Sequence, residues 1–240
     1  RTGGTVEAND IDTQRLDALS ESFGDGTPRI ALMPGSRPGE IGDNFPILLD
    51  AFRRLSAQFP GLRGVVAATK PQVEERVRLL AEATGGWPDN LVTVAGQTDA
   101  VVRWCELALV VSGTVTLQIA KQLRPMVIVY NLTTVQRALI KLVLSTEFIT
   151  LPNLISGRRI VPEIVDGIAN GSIVAAEAAR VLTDDRARAA QLHALSSVLG
   201  RFAGKRAATN AADAIEEMVG LRPAPPTRRS LRPTPQSTRA

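Results

Sequence analysis

The chain of 240 residues is 44% hydrophobic and 22% charged, which is ordinary for a globular protein and sufficient for one large α/β domain. Its net charge of +4 comes from the end of the chain: residues 221–240 hold five arginines and no acid, which leaves 23 basic and 24 acidic groups in residues 1–220. The single cysteine, Cys105, excludes an internal disulfide and a cysteine-based metal site, and the single histidine, His193, leaves almost no imidazole chemistry.

The two ends of the chain differ in composition from its centre. Residues 1–28 are polar, contain one short helical pattern and are interpreted as a lead-in, whereas residues 29–220 are predicted to form one domain. The Pro-rich and Arg-rich tail, 221–240, is predicted to be disordered, so its charge does not indicate a nucleic-acid partner. The longest apolar runs, LALVV and MVIVY, are much shorter than the roughly 20 residues that span a membrane.

Strand and helix patterns alternate along the predicted domain. Strands are predicted at 29–33, 62–68, 91–95, 107–111, 126–130 and 148–151, and helices at 45–58, 72–83, 99–104, 115–122, 134–144, 172–182, 185–199 and 205–218. The strands are continuous apolar runs, which is typical of a parallel sheet with helices on both faces. The predicted fold class is therefore α/β, with a doubly wound, mainly parallel, Rossmann-like sheet. Ligands of such sheets bind beyond the carboxyl ends of the strands, so the loops there are the candidate site.

The first of these loops is Pro-Gly-Ser-Arg, residues 34–37, after the strand 29–33. Pro34 ends the strand because it lacks an amide hydrogen, and Gly35 lets the backbone approach a ligand closely. Ser36 and Arg37 offer a hydroxyl and a guanidinium, which suit phosphate oxygens. A structural interpretation stays open, since Arg37 can also pair with Glu40.

The second loop is Ser112-Gly113-Thr114, between the buried strand 107–111 and an amphipathic helix. Ser112 or Thr114 is expected to cap that helix, and the free amides of its first turn favour an anion. The loop matches neither the G-x-G-x-x-G nor the G-x-x-x-x-G-K-[ST] phosphate motif. A plain helix cap is the alternative, but two phosphate-compatible loops at one sheet edge favour a binding site.

The third segment is TEFITLPNLISGRRIVPEIV, residues 146–165. Here Asn153 is expected just after the short strand 148–151, and Pro162-Glu163 is expected to start a helix. Taken alone, Asn153 is a turn former and Glu163 a helix-start carboxylate.

A further turn, Gly96-Gln97-Thr98-Asp99, follows the strand 91–95 and suits either a nucleotide base or a helix start. No pair of carboxylates stands out as a general acid and base.

Taken in order, these loops resemble the carboxyl half of the lipid-A-disaccharide synthase family. The resemblance is carried by LMPGSRPGEI, ALVVSGTVTLQIAKQLRPMVIVY and FITLPNLISGRRIVPEIV, together with the helix NFPILLDAFRRLSAQFPGLRGVV after the first loop. It extends from about residue 28 to about residue 220. Three ordered motifs with their connecting helices are more specific than any one motif.

The resemblance implies a GT-B glycosyltransferase in which this half holds the nucleotide sugar. The family transfers 2,3-diacylglucosamine from UDP-2,3-diacylglucosamine to 2,3-diacylglucosamine 1-phosphate, which releases UDP. It implies active-site roles for Arg37 and Asn153. The residues expected at the donor diphosphate are Gly35, Ser36, Ser112, Gly113 and Thr114, and those expected at the ribose and base are Gln118 and Gly96. No metal or cofactor is expected, and the lipid substrates imply a peripheral location at the cytoplasmic face of the inner membrane.

Two departures from the family pattern affect these expectations. Gln118 stands where the family usually has Glu, which weakens the expected hydrogen bonds to ribose hydroxyls. The acceptor-binding amino-terminal half has no counterpart, so the chain is interpreted as a fragment or one half of a split enzyme. A separate amino-terminal half or a second copy is the expected protein partner.

Two other functions remain open at this stage. One is a different UDP-sugar enzyme of the same fold, such as a UDP-N-acetylglucosamine epimerase or another glycosyltransferase. The other is a non-catalytic module that binds a UDP-sugar.

Overall fold

A computed structural model describes residues 13–111, 113–131, 148–165 and 170–200. The helices and strands alternate in these ranges. The strands are β1 (Arg29–Met33), β2 (Arg63–Ala68), β3 (Leu91–Ala95), β4 (Leu107–Val111), β5 (Met126–Tyr130) and β6 (Glu163–Val165). The helices are α1 (Thr13–Glu21), α2 (Pro38–Gln58), α3 (Pro71–Glu82), α4 (Thr98–Trp104), α5 (Val115–Lys121), α6 (Leu151–Ser156), α7 (Gly171–Thr183) and α8 (Asp185–Gly200). The predicted helices 134–144 and 205–218 and the tail 221–240 lie outside the described residues.

The six strands form one sheet in the order β3-β2-β1-β4-β5-β6, and every neighbouring pair is parallel. The predicted α/β class and doubly wound parallel sheet are confirmed. Strand β1 lies between β2 and β4. Strands β2 and β3 follow on one side of β1, and strands β4, β5 and β6 follow on the other side. A crevice opens where the strand order reverses, at the carboxyl ends of β1 and β4.

Both faces of the sheet are covered by helices, and alternate residues of each strand point to opposite faces. In β1, Ile30 and Leu32 join a core with Phe45 and Phe52 of α2. Ala31 and Met33 join the opposite core, where α4, α5 and α8 pack. This double covering explains why the strands are continuous apolar runs.

Helix α1 and the residues after it pack on the second face. Phe23 is buried with its ring centroid 6.1 Å from that of Trp104, in an edge-on arrangement. Trp104 Nε1 donates to the carbonyl of Gly24 at 3.1 Å, and Asp17 pairs with Arg103. Residues 13–28 therefore contribute to the core, while the domain boundaries at residues 28 and 220 stay predictions.

Five predicted strands and five of the predicted helices are confirmed to within one residue at each end. Helix α2 begins seven residues before its predicted start at residue 45, because Pro38 suits the first helical turn. The strand predicted at 148–151 is wrong: Leu151 begins helix α6, with Pro152 in its first turn. The helix start predicted at Pro162-Glu163 is also wrong, because residues 163–165 form β6 beside β5.

No helix of the described ranges is long and apolar enough to cross a membrane.

Gly64 in β2 allows a close contact between the sheet and Phe52 of α2. A Cβ at this position would overlap the ring of Phe52 and lie 2.7 Å from Cδ1 of Leu91. Gly64→Ala should therefore lower the free energy of unfolding by about 2 kcal/mol, because a packed core accommodates an added methyl poorly. Chemical denaturation measures the change. Gly39→Ala is the matched control, since no atom lies within 4 Å of a Cβ at that position; equal stabilities of the two variants would contradict the prediction.

Candidate functional site

A cavity of about 390 Å³ opens at the reversal of strand order, beyond the carboxyl ends of β1, β2 and β4. It is lined by the loop after β1, the loop after β4 and the start of α5. Six residues predicted for the site line it together: Gly35, Ser36, Arg37, Gly113, Thr114 and Gln118. Thr69, after β2, and Thr98, at the start of α4, add hydroxyl groups to the same wall.

The loop after β1 is shaped by its glycine and two prolines. β1 ends at Met33, before Pro34, and Gly35 has φ of +94°, a conformation that L side chains rarely adopt. A Cβ on Gly35 would lie 3.1 Å from Oε2 of Glu40, so the glycine also leaves room for that carboxylate. Pro38 then begins α2, and Glu40 in the first turn of that helix lines the cavity.

Arg37 lies at the cavity mouth with its side chain 80% exposed. Its Nη1 lies 2.6 Å from Oε1 of Glu40, whose side chain is only 19% exposed. The hydrogen bond and the charge of Glu40 raise the pKa of Arg37 above its ordinary value, so the guanidinium stays charged. The pairing considered as a structural alternative is present, and the remaining guanidinium donors are open to a ligand.

The loop after β4 is described from Gly113 onwards, and Ser112 lies outside the described residues. Thr114 precedes α5, but its side chain makes no capping hydrogen bond, so capping by Thr114 is wrong. Instead, the hydroxyl of Thr116 donates to the carbonyl of Gly113 at 2.7 Å and closes the turn. Gly113 and Thr114 are exposed at the cavity, where the first amides of a helix lack partners within the helix.

Of the two residues predicted for the ribose and base, one lines the cavity and the other does not. Gln118, on α5, is exposed and lines the cavity. Gly96, after β3, has φ of +70° and donates its amide to Ala68 at 2.9 Å, but it is not among the cavity-lining residues.

Asn153 is the predicted site residue whose surroundings differ most from expectation. It lies in α6, its side chain is fully buried, and it does not line the cavity. Its Nδ2 donates to the carbonyl of Val161 at 2.9 Å and to Oε1 of Glu163 at 2.7 Å. Its Oδ1 accepts the amides of Ile160 at 2.7 Å and Val161 at 3.0 Å.

These four hydrogen bonds use the full capacity of the carboxamide. Glu163 extends the network, because its carboxylate also accepts the amide of Thr150 at 3.0 Å and the hydroxyl of the same residue. Asn153 therefore ties α6 to the segment that leads into β6. The catalytic role that the resemblance implies for Asn153 stays a prediction, and the contacts described here give it a structural one.

Two polar residues of α2 were missed: Glu40, which lines the cavity, and Asn44, which is hydrogen-bonded to Glu40. Glu40 was considered only as a partner of Arg37, yet it lines the cavity. Asn44 is buried, with Nδ2 donating to the carbonyl of Glu40 at 2.8 Å and Oδ1 accepting the amide of Asn131 at 2.7 Å. It thereby joins α2 to the residue after β5. The sequence signal is an asparagine on the buried face of a helix, between Ile41 and Leu48.

Three other features of the described residues were compared with this cavity. A larger cavity of about 780 Å³ lies among β6, α7 and α8, and none of the predicted site residues lines it. Burial raises the pKa of the Cys105 thiol to about 12, so it stays protonated at neutral pH and is a poor nucleophile. In the described ranges, no three residues among His, Cys, Asp and Glu are grouped to hold a metal ion.

A sequence model of the family lipid-A-disaccharide synthetase matches residues 10–216. The lipid-A-disaccharide synthase of Myxococcus xanthus is 35% identical over 192 residues, and that of Anaeromyxobacter dehalogenans is 37% identical over 194 residues. Both comparisons cover 80% of this chain and 49% of the relative. The Pseudomonas aeruginosa enzyme is 32% identical over 191 residues, which cover 78% of this chain and 49% of the relative. The chain thus spans about half the length of the curated relatives it matches.

Solved structures share the fold at low sequence identity. A trehalose-6-phosphate synthase has a TM-score of 0.51 at 13% identity, over 82% of this chain and 44% of that one. A spinosyn rhamnosyltransferase has a TM-score of 0.50 at 17% identity, over 73% of this chain and 42% of that one. These likenesses agree with the GT-B glycosyltransferase fold and show the fold alone.

Proposed function

The chain belongs to the lipid-A-disaccharide synthase family, and from this premise we propose that it forms the part of such an enzyme that binds the UDP-sugar donor. The proposed donor is UDP-2,3-diacylglucosamine and the proposed acceptor is 2,3-diacylglucosamine 1-phosphate. The products are the β-1,6-linked lipid A disaccharide 1-phosphate and UDP.

One observation carries this proposal. The loops after β1 and β4 bring Arg37, Gly113, Thr114 and Gln118 to one cavity at the reversal of strand order. This is where doubly wound sheets bind nucleotides. The cavity combines a cation, exposed hydroxyls and the amino end of α5, which are groups that suit a diphosphate.

Each group has a part in the proposed chemistry. As the bond between the sugar and the β-phosphate breaks, negative charge accumulates on the departing UDP, and preformed donors lower the cost of that charge. Arg37 and Ser36 would contact phosphate oxygens from one side, and the amides of residues 113–115 from the other. Gln118 would accept hydrogen bonds from ribose hydroxyls through its carbonyl oxygen, and no metal is needed for this charge stabilisation.

We propose that the acceptor and its deprotonating base are held by a further protein part. In the family pattern that part is the amino-terminal half; a second copy of the chain is an additional candidate partner. The diacylated substrates place the reaction at a membrane, and we propose peripheral binding at the cytoplasmic face of the inner membrane.

UDP binding to the full 240-residue chain tests the proposal. At a UDP concentration 100 times the Kd, ligand binding adds about 2.7 kcal/mol to the free energy of unfolding. A chain of this size should then melt about 5–10 °C higher. Uridine should give a much smaller shift, because it lacks the diphosphate, and EDTA should leave the UDP shift unchanged.

Turnover distinguishes an enzyme from a binding module. The chain should convert the two substrates only when the acceptor-binding part is supplied. UDP binding without turnover in that mixture would favour the module, and a folded chain that does not bind UDP would contradict the proposed function.

A further inference from the structure

The described residues that line the candidate cavity include a negative side chain beside a positive one. Among the described residues that line it, Glu40 is the single acid and Arg37 the single base. They are paired at 2.6 Å, so the side chains of the cavity carry no net charge. A site that binds a diphosphate through Arg37 therefore also holds a carboxylate that opposes the phosphate charge.

The side chain of Glu40 is more enclosed than that of Arg37, and its backbone is held by hydrogen bonds. Its side chain is only 19% exposed, and the absence of a Cβ on Gly35 leaves space for Oε2. Its backbone carbonyl accepts Nδ2 of Asn44, which is itself held by the amide of Asn131. Arg37, in contrast, is 80% exposed. The carboxylate is thus the more enclosed member of the pair and the guanidinium the more exposed one.

We propose that Glu40 lowers the affinity of this cavity for UDP, by holding one donor of Arg37 and by adding a negative charge beside the phosphates. The inference rests on the proposed function of the cavity. UDP carries more charge once it has left the sugar, so the repulsion acts most strongly on the product. Glu40 is therefore an affinity-setting residue that favours product release.

The opposite role, in which Glu40 orients Arg37 for the phosphates, makes a different prediction. Glutamine keeps a carbonyl acceptor for the guanidinium but removes the charge. An orienting role would leave UDP affinity unchanged or lower in Glu40→Gln, whereas charge opposition raises it. The variant separates the two roles by the sign of the change.

Calorimetric titration of the full chain tests the proposal. Glu40→Gln should bind UDP about fivefold more tightly than the unmodified chain, which corresponds to a charge interaction at a partly exposed site. The increase in affinity caused by Glu40→Gln should be smaller for UMP and absent for uridine. For UDP it should be reduced at high salt, because ions screen the charge. Glu40→Asp, which restores a carboxylate, should bind UDP with nearly the original affinity.

Glu74→Gln is the matched control, since Glu74 lies in the first turn of α3 and does not line the cavity. Its UDP affinity should not change. Unchanged or weaker UDP binding by Glu40→Gln, or an equal gain for uridine, would overturn the inference. Pyrophosphate is titrated in parallel with UDP. A chain that binds pyrophosphate but not UDP would contradict the proposed function. The inference would then be decided by comparing the pyrophosphate affinities of Glu40→Gln and the unmodified chain. A folded chain that binds neither UDP nor pyrophosphate would overturn both the proposed function and the inference about Glu40.

Discussion

Replacing Arg37 with alanine should weaken UDP binding to the full chain by about 30-fold, in line with the loss of charge-assisted hydrogen bonds. The variant removes the one positive side chain among the described residues of the cavity wall. It also leaves Glu40 without its 2.6 Å partner, so an unpaired carboxylate faces the phosphates. Isothermal titration calorimetry measures the change, and uridine affinity should change much less.

The control for this variant is Arg54→Ala, in the helix α2 that follows Arg37. Arg54 is also an exposed arginine in an ion pair, with Oδ2 of Asp50 at 3.0 Å, but it does not line the cavity. It should leave UDP affinity unchanged. Circular dichroism should show both variants folded, because the mostly exposed side chain of Arg37 adds little to the core. Equal UDP affinities of the two variants would refute the phosphate role of Arg37.

The sheet was predictable because its strands carry an unusually clear signal. LALVV and MVIVY are buried at nearly every position, since helices cover both faces of the sheet. A short continuous apolar run bounded by loops therefore marked each of five strands. The order β3-β2-β1-β4-β5-β6 was not predicted in detail, because strand neighbours depend on contacts far apart in the sequence.

The parallel sheet made it possible to predict which loops form the cavity. The residues concerned are Arg37, Gly113, Thr114 and Gln118. The carboxyl ends of parallel strands meet at one edge, so loops after β1 and β4 were expected together. The adjacency of β1 and β4 then brings these loops to one cavity. Local motifs sufficed here because each loop carries its own glycine and polar side chains.

The segment 148–165 was less predictable because its structure depends on contacts across a turn. Phe148, Ile149 and Leu151 favour a strand by local propensity, yet residues 151–156 form a helix. Glu163 accepts hydrogen bonds from Ile149 and Thr150, which fixes the start of that helix from 13–14 residues away. No periodic pattern within the segment contains this information.

Asn153→Ala should be the most destabilising of the substitutions considered, with a loss of about 3–5 kcal/mol in the free energy of unfolding. The change removes four hydrogen bonds of a fully buried carboxamide. It leaves the buried amides of Ile160 and Val161 without their acceptor, and Glu163 without one of its donors. The melting temperature should fall by about 10 °C. Because Asn153 does not line the cavity, UDP affinity measured well below the melting temperature should stay close to the original value.

Asn90→Ala is the matched control for a structural asparagine. The side chain of Asn90 is half-buried and donates two hydrogen bonds, to Ser56 Oγ at 3.0 Å and to the carbonyl of Leu62 at 2.9 Å. Its loss should cost only about 1 kcal/mol, since water can replace the missing partners there. A stable Asn153→Ala protein that binds UDP weakly would instead assign Asn153 to the ligand and require the segment 148–165 to rearrange on binding. A destabilised variant with unchanged UDP affinity would show that the carboxamide acts on the fold of α6 and β6 and not on UDP binding, which leaves the loops after β1 and β4 as the proposed diphosphate contacts.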